Sequence, residues 1–204
     1  ATGSNYYGQL GDGTTTQRHN PVQVTDNSGN PLSGVVGITA GYAHSVFLKA
    51  DGTVWATGHN NNGQLGDGTT TQRNNPVQVT DNSGNPLSGV VEITAGYYHS
   101  VFLKADGTVW ATGNNSNGQL GDGTTTQRNN PVQVTDDSGN PLSGVVEITA
   151  GFHHSVFLKA DGTVWATGRN DYGQLGDGTT TNRSNPVQVT DDSGNPLSGV
   201  VEIT

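Results

Sequence analysis

The chain alternates apolar and polar residues over short stretches and breaks each stretch with glycine, asparagine, aspartate or serine. In Pro21-Val22-Gln23-Val24-Thr25 the valines fall two apart, the period of a strand with one face covered, and nowhere does a 3.6-residue period run long enough to make a helix. Four strands are predicted in this pattern: A at Val35 to Ala40, B at His44 to Ala50, C at Thr53 to Gly58 and D at Pro21 to Thr25. Asp51-Gly52 between B and C predicts a two-residue type I′ hairpin, because both residues tolerate positive φ. Pro21 has no amide donor, so it is expected to open D at the edge of a sheet.

The pattern recurs at a fixed interval. Ala1-Thr2-Gly3 returns at Ala56, Ala111 and Ala166, a spacing of 55 residues, which divides the chain into units 1–55, 56–110, 111–165 and an incomplete 166–204. A unit of four short strands has too little apolar surface to stand alone and must stack on its neighbours. Radial stacking gives an all-β fold of propeller blades, each of four antiparallel strands. With fewer than four units, the expectation is a partial ring, or one completed by another chain.

Composition narrows the partners. The 31 glycines, 8 prolines and 30% hydrophobic residues suit many turns and short strands, and the β-branched segments argue against disorder. Net charge is −9 with only eight Lys and Arg, so neither nucleic acid nor an anionic membrane is an expected partner. There is no cysteine, hence no disulfide and no thiolate metal site. An extracellular or cell-surface location is compatible with the polar, Asn- and Thr-rich surface; a cytoplasmic one is the alternative.

Gly96-Tyr97-Tyr98-His99-Ser100, then Leu103, Asp106-Gly107-Thr108-Val109-Trp110, Gly113, Asn115 and Gly118-Gln119-Leu120-Gly121 carry a resemblance that continues through Pro131, Val134, Ile148 and Gly151. This series is similar to the repeat of the regulator of chromosome condensation family, and it covers essentially the whole chain. The resemblance implies blades of a seven-bladed propeller. Some members of that family act on small GTPases or bind chromatin, activities that need particular loops or a basic surface; this chain is acidic and its units are near copies.

Differences between the copies are few. Units two and three differ at five of 55 positions: His59 to Asn114, Asn61 to Ser116, Asn82 to Asp137, Tyr97 to Phe152 and Tyr98 to His153. Four of the five fall in two segments. One follows strand C and reads Ser4-Asn5-Tyr6-Tyr7, His59-Asn60-Asn61-Asn62, Asn114-Asn115-Ser116-Asn117 and Arg169-Asn170-Asp171-Tyr172, always with Asn second; the other joins A to B as Tyr42-Ala43, Tyr97-Tyr98 and Phe152-His153. Hairpin-linked strands bring the A-to-B and C-to-D connections out at one end. Tyr6, Tyr7, Tyr42, His59, Asn61, Tyr97, Tyr98, Asn114, Ser116, Phe152, His153, Arg169, Asp171 and Tyr172 are therefore the candidate ligand-binding residues, a vocabulary of rigid aromatics and adaptable hydrogen-bonding groups. Drift in exposed loops is the competing explanation.

No catalytic residue is assigned. His44, His99 and His154 each precede a serine, but the pair recurs in every copy and suits a histidine satisfying backbone groups at the A-to-B corner better than a catalytic triad. His153-His154 point to opposite sides of a strand and make a poor metal pair, and Asp136-Asp137-Ser138-Gly139-Asn140 reads as a turn. Trp55, Trp110 and Trp165 stand at a fixed register that suits packing between blades. No metal or cofactor is expected. The function read from the sequence is non-enzymatic recognition of a protein or glycan through the variable loops. The alternatives are a self-assembling homo-oligomeric array, as a fibre or multichain ring, and an amplified or engineered propeller with no selected ligand.

Overall fold

A computed structural model describes all 204 residues, and its regular elements are twelve strands. They form three sheets of one plan. The first holds β1 (Val35–Ala40), β2 (His44–Lys49), β3 (Val54–Gly58) and β4 (Arg73–Gln78); the second, β5 (Val90–Ala95), β6 (His99–Lys104), β7 (Val109–Gly113) and β8 (Arg128–Gln133); the third, β9 (Val145–Ala150), β10 (His154–Lys159), β11 (Val164–Gly168) and β12 (Arg183–Gln188). Each sheet runs antiparallel in simple order, with its A and D strands at the edges. A blade thus takes A and B from one 55-residue copy and D from the next, with C running across the boundary between them.

Two expectations of local geometry are corrected. The D strands begin three residues before the proline, so that Pro76 lies inside β4; the register jumps from Ala56↔Val77 to Gly58↔Arg73, and the resulting bulge accommodates the missing donor on an edge. In the first copy Pro21 to Thr25 forms no strand at all, and its one β-bridge is Thr25↔Pro31. The B-to-C turn is not type I′ either, since no residue other than glycine has positive φ. Gly52 alone takes the left-handed conformation, at φ 77°, after a turn closed by Gly52 N–H donating to Lys49 O. That is a three-residue loop with a bulge-forming glycine, and Asp51 serves it by accepting from the Thr53 N–H and hydroxyl.

Stacking of the sheets makes the core. Along β6, Val101 and Leu103 join a cluster with Ile148 and Phe157 of the third sheet, while Phe102 between them joins a cluster with Val46, Val54 and Leu65 of the first. The strand period of two therefore sends alternate residues into two different inter-blade interfaces. Leu65, Val79 and Leu87, from the loops flanking β4, complete one interface, and Trp110 packs against it with Lys104 Nζ 5.0 Å above its ring. Neighbours decide burial: Ile148 is 4% exposed, whereas its counterpart Ile38, which faces residues from the 1–32 segment, is 74% exposed.

Hydrogen bonds link the blades at fixed points. Asn75 Nδ2 donates to Thr25 O at 2.8 Å, as Asn130 and Asn185 do to Thr80 O and Thr135 O. Thr112 Oγ1 donates to Gly63 O of the preceding blade's loop. From β9, Glu147 accepts the Ile203 N–H at 3.0 Å.

Candidate functional site

The invariant asparagine of the C-to-D loop explains how that loop holds its shape. Asn60 is buried; its Nδ2 donates to Asp67 Oδ1, Thr69 O and Thr71 O at 3.1 Å, and its Oδ1 accepts the Leu65 N–H at 2.9 Å. Asn5 and Asn115 repeat the arrangement, and Asn170 repeats it without the third carbonyl. Asp67, with a side chain only 6% exposed, also takes two donors from Arg73 on one oxygen, at 2.8 and 2.7 Å. Burial raises the Asp67 carboxyl, but hydrogen bonds from Thr69 and Arg73 outweigh it and hold the group below the usual carboxylate range. The loop is rigid from within, so the residues beside the asparagine are free to differ.

Those residues meet the A-to-B corner directly. Because His44 pairs with Gly58 at the end of the β2–β3 ladder, the His59 N–H donates to Ala43 O at 2.8 Å; likewise Asn114 to Tyr98 O and Arg169 to His153 O. Each variable dipeptide is thereby tied to the first variable residue of its own blade's C-to-D loop.

Between blades the aromatic rings continue the surface. Tyr42 stacks on Tyr97 with centroids 4.1 Å apart, and Tyr97 on Phe152 at 3.9 Å. Tyr98 meets Tyr97 at 4.3 Å and His59 at 5.3 Å, and Tyr7 meets the far side of His59 at 4.7 Å. His153 lies against Phe152 at 4.7 Å, and the Arg169 charge acts on it. Arg169 in turn pairs with Asp171 at 2.8 Å and lies over the ring of Tyr172 at 5.5 Å. Below the stack is a shallow pocket of about 370 Å³ whose floor is Ala40-Gly41, Ala95-Gly96 and Ala150-Gly151.

Eleven of the fourteen candidates thus form one connected surface: Tyr7, Tyr42, His59, Tyr97, Tyr98, Asn114, Phe152, His153, Arg169, Asp171 and Tyr172. Ser116 joins it through its hydroxyl on Asn114 Oδ1. Tyr6 and Asn61 extend into solvent beside it. The opposite end of the sheets carries the D-to-A turns, in which Asp81 accepts the Ser83 and Asn85 N–H groups, and these turns vary only between Asn82, Asp137 and their counterparts.

Sequence reasoning missed what the buried histidines do. His44 Nε2 lies 3.0 Å from the Ser100 hydroxyl of the next blade, and His99 Nε2 lies 3.1 Å from Ser155, so they reach across an interface and not to backbone groups at their own corner. Ser100 itself donates to Gln64 O, which leaves its oxygen to accept from the imidazole. Both rings are buried, and desolvation lowers their pKa values, to about 4 for His44 and about 3 for His99. A signal was present in the glycine three residues before each histidine: a Cβ at Gly41, Gly96 or Gly151 would fall on the imidazole ring.

Comparison with known proteins places this architecture. The RCC1-like domain profile matches residues 1–203. Ultraviolet-B receptor UVR8 of Arabidopsis thaliana is 32% identical over 182 residues, covering 88% of this chain and 39% of that protein. Probable E3 ubiquitin-protein ligase HERC4 of Homo sapiens is 34% identical over 190 residues, 92% of this chain and 17% of that one. The chain therefore spans well under half of either relative. Among solved structures, human WBSCR16 superposes with a TM-score of 0.72 at 24% identity, over 92% of this chain and 46% of its own. The 55-residue blades, their inter-blade cores and the match over nearly every residue lead to one conclusion: this chain belongs to the RCC1-like domain family.

Proposed function

We propose that the chain is a non-enzymatic recognition module whose aromatic face binds a protein partner. The observation that carries this reading is that all six tyrosines of the chain lie in the variable loops of one face, where five of them form one connected surface with Phe152, His59, His153, Arg169 and Asp171. Tyrosine and arginine are the residues on which protein contacts concentrate, because they bring large area and a polar tip at low entropic cost. A scaffold stiffened by buried asparagines and ion-paired aspartates lets those side chains vary without refolding the loops beneath them. The named activities of UVR8 and HERC4 belong to proteins much longer than this chain and are not transferred to it.

A glycan fits less well. Sugar rings pack on open aromatic faces, and Tyr97 has Tyr42 on one side and Phe152 on the other. The test uses two variants. Replacing Tyr42, Tyr98 and Tyr172 by Ala is expected to abolish capture of a partner held by the unaltered protein, while Asn82→Ala with Asp137→Ala on the opposite face leaves it intact. The reverse pattern, or capture by all three proteins alike, overturns the assignment; capture competed by free saccharide moves it to the glycan.

A further inference from the structure

One imidazole of the aromatic face is gripped in a single protonation state. His59 Nδ1 lies 2.8 Å from Gln64 Nε2, and Gln64 Oε1 accepts the Asn62 N–H at 3.0 Å. The second contact orients the amide. With its oxygen held by a backbone donor, Gln64 presents its NH₂ group to the imidazole, so Nδ1 must be the bare, accepting nitrogen. Turning the amide over offers no escape, because its NH₂ would then oppose the Asn62 N–H.

The other copies show what this socket requires. Gln119 makes the same contact with Asn117 N–H and donates to Asn114 Oδ1 at 2.7 Å; Gln9 holds Tyr7 N–H and faces the Ser4 hydroxyl. In the fourth copy Gln174 still accepts the Tyr172 N–H, but Arg169 has no acceptor to give and turns to Asp171. Ser4, His59 and Asn114 therefore meet one demand, an acceptor facing a fixed donor, and only His59 loses its acceptor when it gains a proton.

We propose that His59 makes the aromatic face acid-sensitive: a proton on Nδ1 sets N–H against N–H at Gln64, drives the ring from between Tyr7 and Tyr98, and opens the surface that they close. The groups around the ring are the phenol rings of Tyr7 and Tyr98, the amide of Gln64, the backbone of Asn62 and, close enough on β2 to feel its charge, His44; none offers a countercharge to hold the protonated form in place. Burial already lowers the pKa of His59 from its ordinary value. Tyr98 touches Tyr97, so displacement of His59 reaches the Tyr42–Tyr97–Phe152 stack. This inference rests on the recognition reading for its use, since the surface reshaped is the one assigned to a partner.

The test needs no partner, and so it separates the two. In the whole chain, the His59 ring nitrogens and the Tyr7 and Tyr98 ring protons are followed by NMR from pH 7.5 downward, with Phe102 in the core as a check on global unfolding. The unaltered protein is expected to show the Nε2–H tautomer at pH 7.5, and Tyr7 and Tyr98 resonances that shift together with His59 protonation while Phe102 stays put. His59→Asn, which copies Asn114 in the same socket, is expected to abolish that shift. Tyrosine resonances that move equally in His59→Asn, or that stay fixed while His59 titrates, overturn the proposal.

Discussion

His99 shows how a single side chain is set by its neighbours. Its Nε2 contact with Ser155 is buried and Ser155 donates onward to Gln119 O, so removing either partner leaves a desolvated group unpaired. Ser155→Ala is expected to lower unfolding stability by about 1–3 kcal/mol, measured by denaturant titration. Gly96→Ala is expected to be damaging because the new methyl group falls on the His99 ring and against the Gly151 carbonyl. Adding His99→Ala should recover part of that loss. Single-mutant costs that simply add in the double mutant, to within about 0.5 kcal/mol, would contradict the packing of Gly96 on His99.

At the scale of the element, the C-to-D loop owes its shape to one asparagine and one ion pair. Asn115→Ala removes donors to Asp122, Thr124 O and Thr126 O together with the acceptor of the Leu120 N–H. Leaving those buried groups unpaired should cost roughly 2–4 kcal/mol, and hydrogen exchange of the Leu120 amide should accelerate selectively. A uniform loss of protection across β6 and β7 would mean that the loop is not the unit that opens. Most of the strand pattern was legible in the chain: A, B and C of the first three copies lie where alternation and turn residues put them, while the A segment of the fourth, at 200–204, forms no strand. The D strand was not, because Arg73-Asn74-Asn75 looks like loop by composition and becomes strand only by pairing with β3 across a bulge. Asp51-Gly52 misled in the same way, since a turn's type follows from the number of residues the ladder leaves out, and Lys49 N–H donates to Thr53 O one residue further on.

Across the whole molecule, stability resides in the interfaces between blades. Phe102→Ala empties a position that is fully buried between the first and second sheets and is expected to cost about 3–5 kcal/mol. Acid should act on the same interfaces. His44 and His99 have folded pKa values depressed below the unfolded value of about 6.5, so the native state binds fewer protons and their contribution is complete above that pH. It declines as pH falls from about 6.5 toward 4 for His44 and toward 3 for His99. The depressed aspartates Asp12, Asp67, Asp122 and Asp177 add a further loss only below about 4. Denaturant midpoints measured from pH 7.5 to 4.5 should fall, and fall less in a His44→Gln, His99→Gln variant. A flat profile for the unaltered chain would exclude neutral buried histidines as the source.

The sequence by itself determined the repeat, the strand class and the two segments in which copies differ, because period, turn chemistry and internal comparison are properties of order along the chain. That the A-to-B and C-to-D segments adjoin also followed from it, since antiparallel strands return to the same end. Which side chains touch is a matter of the folded arrangement: that Tyr42, Tyr97 and Phe152 stack, that His59 sits between Tyr7 and Tyr98, and that His44 and His99 each answer a serine 56 residues away. Those contacts cross from one blade to the next. Their geometry depends on the spacing and tilt of stacked sheets, which no window of the chain contains.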